Sequence, residues 1–278
     1  MNAEPSPGHL LLLARLHELA SQDSALPCLC VRAVQAHHIK AVDITGPALV
    51  IPLRGTKRCR EGGDWLRIEP GQMLLVPGAR SLDVENIPDD VVGDYTAIAI
   101  GIEPATLEAA RQLLPDRAFG QPGPVARIAL DDVALALLNW VDALLAGETV
   151  FACHAMAGVV LRLHALGHGG LLAPVTPSLG EQIRAMVVAE PARDWSSSDI
   201  EQALGLSGAT LRRQLAAGGT SLRELIIGAR LAQALILLQS TRLPVKSVAM
   251  RVGYASTASF SKRFAERYGV EPSRVGGV

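Results

Sequence analysis

Apolar residues recur every three or four positions over residues 9–20, after a tail carrying Pro5, Pro7 and Gly8. That period predicts one amphipathic helix. From 26 to 102 the pattern changes. Short apolar runs at 49–53, 73–76 and 95–100 are separated by Gly46-Pro47, Gly62-Gly63-Asp64, Pro70-Gly71, Pro77-Gly78 and Pro88-Asp89-Asp90. Short strands bounded by turn residues predict a small sandwich or barrel. Residues 104–114 return to a helical period, and so do 131–145 and 149–166. Gly147 breaks the last two apart, and Gly167, Gly169 and Gly170 stop the second. Asp131 and Asp132 suit the positive end of the first of them. The short connection makes the pair antiparallel neighbours. Both are apolar on more than one face, which leaves two readings: a pair that caps the barrel, or one that also buries a second subunit.

Pro174 and Pro177 mark 171–178 as a linker, because proline stops both helix and ladder. Beyond it the helical pattern is dense. The expectation is an α+β chain: a cupin-like barrel with helices at about 104–168 inside a domain of residues 1–170, a linker at 171–178, and an all-α domain at 179–278.

Two stretches of the last hundred residues share one layout. Ile200-Glu-Gln-Ala-Leu-Gly205-Leu-Ser207 leads into a helical 209–215, and Val248-Ala-Met-Arg-Val-Gly253-Tyr-Ala-Ser256 into a helical 257–268. Each is a short helix, a glycine free to turn left-handed, a serine placed to cap, then a helix with Arg or Lys. That order is a helix-turn-helix. Between them, Ser221-x-x-Glu224 opens a helix running to 239. Some 18 residues span ~27 Å, near the ~34 Å of one DNA turn. A single helix–Gly–helix with arginine occurs in many bundles; two copies in one basic domain are a sharper signal.

Charge changes the picture only when it is divided. The formal net charge is -1. Residues 1–177 hold 13 Lys+Arg and 19 Asp+Glu, a net of -6, while 178–278 hold 13 and 8, a net of +5. An acidic module joined to a basic, phosphate-facing one is the expectation. All 7 His and all 4 Cys lie in the first part, and so few cysteines exclude a disulfide scaffold. The apolar run 10–13 has no Lys or Arg ahead of it and no small-residue cleavage pattern behind it. No targeting segment and no membrane span are therefore expected, and the setting is cytoplasmic.

The stretch 195–273 strongly resembles the DNA-binding domain of AraC/XylS-type regulators. Ala203-Leu-Gly-Leu-Ser207, Leu211-Arg-Arg213, Gly219-Thr-Ser-Leu222, Arg230-Leu-Ala, Val248-Ala249, Val252-Gly-Tyr-Ala-Ser256, Phe260-Ser-Lys-Arg-Phe264 and Tyr268-Gly-Val-Glu-Pro-Ser273 carry the likeness. The resemblance implies seven helices in two subdomains and transcriptional regulation, more often activation. It implies promoter DNA and RNA polymerase as partners, a homodimer, no catalytic residues and no cofactor. Ala209, Arg212 and Arg213 fall where the family's first recognition helix faces bases, and Thr257, Ala258, Ser261 and Lys262 where the second does. An arginine pairs bidentately with guanine and alanine offers only apolar contact, so the first unit is expected to read more sequence. Ser207, Ser256, Ser259, Arg263 and Arg267 suit phosphates, although Arg267 also reads as a solvated charge. Four positions depart from the family pattern. Ser197 replaces an apolar residue, Glu201 sits under the first turn where a small one belongs, and Val275-Gly276 replaces an aromatic-Arg pair. A capping box Ser198-x-x-Glu201 would accommodate Glu201.

The first part resembles, more loosely, the cupin-type barrel of such regulators, through Ile51-Pro-Leu-Arg-Gly-Thr-Lys57, Gly62-Gly63, Ile68-Glu-Pro-Gly-Gln-Met-Leu-Leu-Val76 and Tyr95-Thr-Ala-Ile. That implies a small-molecule effector or a ligand-free dimeriser. Trp65, Arg67, Met73 and Tyr95 are candidate inward residues for an effector; Trp and Tyr offer an apolar face with a polar tip, but each is more often plain core. A cupin metal needs a His-x-His pair, whereas His37 and His38 are adjacent and would face opposite ways in a strand. A metal-dependent enzyme is thus the remote alternative. His164 and His168 have ligand spacing but sit among glycines, which favours a frayed pair over a metal site. Cys59, between Arg58 and Arg60 and near Lys57, is a candidate redox or electrophile sensor if those charges activate it, and otherwise an inert thiol.

Overall fold

The computed structural model describes residues 7–22, 28–115 and 119–275. The predicted strand region's start at 26, and Gly276, lie outside them. The chain divides into two compact units, Met1–Pro174 and Val175–Val278.

In the first unit, helix α1 (Pro7–Ser21) precedes two antiparallel sheets. One sheet orders its five strands β1 (Leu29–Ala33), β8 (Tyr95–Gly101), β3 (Ala48–Arg54), β6 (Gln72–Val76) and β9 (Ala126–Ala129). The other orders β2 (His37–Ile44), β7 (Arg80–Ile87), β4 (Thr56–Arg60) and β5 (Leu66–Ile68). The five-stranded sheet is buried on both faces, so its strands read as continuous apolar runs. On one face Leu49, Ile51, Met73, Leu75, Ile98 and Ile100 join α1 and the apolar helices α3 (Ala134–Leu145) and α4 (Thr149–Leu163) in one core. On the other, Val31, Ala33, Tyr95 and Ala97 pack together. The four-stranded sheet alternates, with Ile39, Cys59, Ile68, Leu82 and Val84 buried between outward polar residues.

Helix α2 (Pro104–Gln112) packs on α4. Three details differ from the sequence reading. Asp131 and Asp132 belong to a 3-10 turn, Leu130–Asp132, ahead of α3 rather than to its first turn. Past α4 the chain winds through a π turn, His164–His168, with Gly167 at φ 93, and a 3-10 turn, Gly169–Leu172. Leu171 and Leu172 are buried in the first unit's core, so the irregular segment starts later than proline positions suggested. The run Thr149–Leu172 is also long and apolar enough, by composition, to cross a membrane, which the sequence reading did not anticipate. Eight of its residues, including Met156, Val160 and Leu171, sit in the same buried core as the sheet.

The second unit holds seven helices among the described residues: α5 (Leu179–Ala189), α6 (Ser197–Leu204), α7 (Gly208–Ala217), α8 (Leu222–Ser240), α9 (Val245–Arg251), α10 (Thr257–Tyr268) and α11 (Pro272–Val275). Serines start them. Ser178, Ser196 and Ser221 each form a reciprocal capping box, with Glu181, Asp199 and Glu224. Each box satisfies two otherwise orphaned backbone donors.

Candidate nucleic-acid interface

Helices α6 and α7 are joined through Gly205 at φ 64, and α9 and α10 through Gly253 at φ 82. Only glycine enters this left-handed region without a Cβ penalty. The serine oxygens of Ser207 and Ser256 then accept from the backbone N–H of Thr210 and Ser259, both at 3.3 Å. So both serines are committed as caps, and their hydroxyl oxygens set where each second helix begins.

Burial fixes the rotation of both helices. In α7, Leu211 and Leu215 point into a core with Ile183, Val187, Ile200, Leu225 and Ala229. That leaves Ala209, Arg212 and Arg213 exposed on the opposite face. In α10, Phe260, Phe264 and Tyr268 form an aromatic row with centroids 5.6 and 4.8 Å apart, and Tyr254 meets Phe260 at 5.4 Å. Ala258, Ser259 and Lys262 are exposed, while Thr257, Ser261 and Arg263 are half-buried. No ion pair holds Arg212, Arg213 or Lys262 among the described residues, so their donors are available. Arg267 lies 5.9 Å from the Tyr268 ring centroid.

The expected Ser198–Glu201 box does not form; Ser196 and Asp199 cap α6 instead. Asp199 accepts from the hydroxyl and backbone N–H of Ser196 and from Arg193, which together hold its carboxyl down at about 2. Glu201 is satisfied differently. The Ser197 hydroxyl donates to it at 2.5 Å. Two departures from the family pattern therefore meet each other, one helical turn apart. The carboxylate also lies against Gly208, where a Cβ would come within 2.7 Å of Oε1. A small residue is needed there because Glu201 is large.

One residue the sequence reading left without a role is Arg230, midway along α8. Its Nε donates to Pro191 O at 2.9 Å, Nη2 to Arg193 O at 2.8 Å and Nη1 to Gly253 O at 3.4 Å. Its only signal in sequence was its place in a matched stretch.

The candidate effector residues are not brought together. Met73 is fully buried on the helix side of the five-stranded sheet, and Tyr95 is fully buried on the other. Successive side chains of a strand point to opposite faces, so where each strand lies in its sheet decides this. Trp65 lies against the outer face of the four-stranded sheet, with the guanidinium carbons of Arg58 and Arg60 each 4.7 Å from its ring centroid. Arg67 pairs with Glu69 at 2.8 Å.

Of the two readings of Cys59, a sensor or an inert thiol, the geometry favours the inert one. Its side chain is fully buried, and burial pushes the thiol up, with Lys57 pulling back only in second place. Arg58 and Arg60 pair outward with Glu85 and Asp83, on the other face of the strand. An activated, accessible thiolate is not what this geometry builds.

Lys57 itself is buried, and its ammonium donates to Asn86 Oδ1 at 3.0 Å. Burial pushes its pKa down to about 8. Asn86 is fully buried as well, with no partner for Nδ2. His164 lies against Gly169 in the π turn and edge-on to Phe119, and no group of three His, Cys, Asp or Glu placed to hold a metal is found among the described residues. An open groove of about 690 Å³ runs along α3 and α4, lined by Ala136, Asn139, Phe151 and His154 among others, with Phe151 64% exposed.

Two capped, outward-facing basic helices, each following a left-handed glycine, define a double helix-turn-helix unit. Residues 200–276 match the family described as a helix-turn-helix domain. The chain is 32% identical over 94 residues to the urease operon transcriptional activator of Escherichia coli, covering 34% of this chain and 32% of that protein. It is 42% identical over 76 residues to an uncharacterized HTH-type transcriptional regulator of Mycobacterium tuberculosis, covering 27% and 22%. The chain thus aligns with well under half the length of these relatives. Its fold is similar to that of unsaturated fatty acid bound ToxT from Vibrio cholerae, with a TM-score of 0.60 at 16% identity, over 88% of this chain and 92% of that one.

Proposed function

We propose that the protein is a cytoplasmic, sequence-specific DNA-binding regulator of transcription, acting as an activator with RNA polymerase. The observation that carries this is the pair of basic helices α7 and α10, with Arg212, Arg213 and Lys262 exposed and in no ion pair among the described residues, held by one α-helix. Nineteen residues of α8 span roughly 28 Å, close to the spacing of successive major grooves. Ala209, Arg212 and Arg213 read bases from the first helix, and Thr257, Ala258, Ser261 and Lys262 from the second. Arg263 and Arg267 contact phosphates, as do the hydroxyl protons of Ser207, Ser256 and Ser259. Binding-site selection tests the division of labour. Arg212→Ala should relax specificity at one guanine by about 1–3 kcal/mol, and Lys262→Ala less. Equal relaxation by the two would overturn the ranking.

The first unit is read as the sensor. ToxT, whose fold it shares, was solved with a bound fatty acid. Here a buried ammonium without a carboxylate partner, beside an unpaired amide, favours a small anion as effector. Small carboxylates should raise the melting temperature of the full chain where matched amides do not, and Lys57→Met should abolish the difference. No shift for any of them would favour the second reading, a ligand-free dimeriser. The exposed Leu135, Val150 and Phe151 on α3 and α4 support a homodimer, which sedimentation of the full chain tests.

A further inference from the structure

Helix α8 is shared by two layers of the second unit. Its first half packs with α5, α6 and α7 through Leu225 and Ala229. It also contacts α9 and packs on α11. Apolar packing of this kind resists separation but resists rotation about the shared helix poorly, because it is non-directional. Something directional has to set the angle between the two helix-turn-helix units.

Arg230 sits at the junction. Its three donors reach backbone carbonyls of Pro191 and Arg193, in the loop that leads into α6, and of Gly253, the turn residue between α9 and α10. The first two belong to the approach of one unit and the third to the turn of the other. A guanidinium is a rigid planar fork, so three acceptors on one fork fix relative orientation as well as distance. The packing leaves no slack: a Cβ on Gly253 would lie 2.9 Å from the Arg230 Cζ and 2.8 Å from Pro191 O. The backbones of both units close around this one cation.

We propose that Arg230 is a positioning residue that sets the spacing and phase between the two recognition helices, and so the separation of the two DNA elements the protein accepts. It touches no base in this role. It acts by holding α7 and α10 in one register, and rests on the DNA-binding reading above. One added base pair moves an element by roughly 3.4 Å and a tenth of a turn. A rigid clamp rejects that shift, whereas a loosened one accommodates it.

Two measurements on the full chain test the clamp. In the first, nitroxides are attached through ketone-bearing amino acids at the exposed positions 214 and 266, and their distance distribution is read without DNA. The wild type should give one narrow distribution, and Arg230→Gln one at least twice as wide. Arg230→Lys, which keeps the charge but loses the fork, should fall between. In the second, the best selected site is compared with versions carrying one base pair more or less between its elements. The wild type should prefer the selected spacing by at least tenfold, and Arg230→Gln by less than threefold, while base preferences within each element stay the same. An unchanged distance distribution overturns the clamp, and so does unchanged spacing preference in a variant whose distribution has widened. Altered base preference within one element would instead make Arg230 a support of that helix alone. Failure of the wild type to select any DNA sequence sinks the DNA-binding reading, and with it the spacing role, while the distance measurement still reports on the clamp itself.

Discussion

Lys57 shows how a single side chain can weigh on the whole unit. Its pKa is pushed from 10.5 to about 8 because burial penalises the ammonium, and Asn86 offers only a neutral oxygen. A shift of about 2.5 units corresponds to roughly 3 kcal/mol of native-state cost at neutral pH. The sign follows from proton counts. Between pH 8 and 10.5 the unfolded chain holds a proton that the folded chain has released, so stability rises with pH across that window. Below pH 8 the cost is fully present. We expect Lys57→Met to be more stable than wild type at pH 7 without ligand, with the gap narrowing by pH 9.5. Guanidinium unfolding of both proteins at the two pH values checks this. A gap that does not change with pH would mean that Lys57 is not titrating in this window. Sequence showed a lysine in a strand; its inward direction came from pairing opposite Asn86 on β7, 29 residues away.

At the scale of elements, the two helix-turn-helix units look alike in sequence and differ in how tightly their turns are packed. Both turn glycines are left-handed, which an alanine tolerates at about 1–2 kcal/mol. At Gly205 a Cβ meets nothing within 4 Å, while at Gly253 it meets a backbone carbonyl and the Arg230 guanidinium. Gly253→Ala should therefore lower the melting temperature of the helical unit several-fold more than Gly205→Ala, followed by circular dichroism. Equal losses would show that φ alone governs both turns. The helices themselves were legible because their signals are local: Ser221 with Glu224, Ser207 before α7, Gly253 before α10. The box at α6 was misassigned by two residues, because Ser196, Ser197 and Ser198 all offer capping hydroxyls. Which one caps depends on where Asp199 and Arg193 lie.

Across the whole molecule, charge is partitioned. The chain sums to -1. Its parts carry -6 over 1–177 and +5 over 178–278. Removing residues 1–177 takes away a net acidic module, so non-specific DNA binding should tighten at ~50 mM salt. The difference should shrink as salt screens it, since the Debye length falls to ~8 Å at physiological strength. A titration of both proteins on random duplex at two salt concentrations tests this; equal or weaker binding by the shorter chain would count against it. Even +5 is modest, so in the proposed DNA-binding role affinity should rest on the placement of Arg212, Arg213 and Lys262 as much as on bulk attraction.

Sequence by itself determined the α+β class, the strand-rich stretch between helical ones, the two turns and the basic faces of α7 and α10. These follow from periodicity, capping and glycine stereochemistry, all of which act within a few residues. Only the tertiary structure decided which side of its sheet Met73 takes, that Cys59 is buried away from its flanking arginines, that Ser197 satisfies Glu201, and that Arg230 joins Pro191 to Gly253. The physical reason is that a strand's side chains alternate, so a side chain's surroundings depend on which strands become neighbours and in what register. A guanidinium's partners likewise lie 23 to 39 residues away, beyond the reach of any local preference.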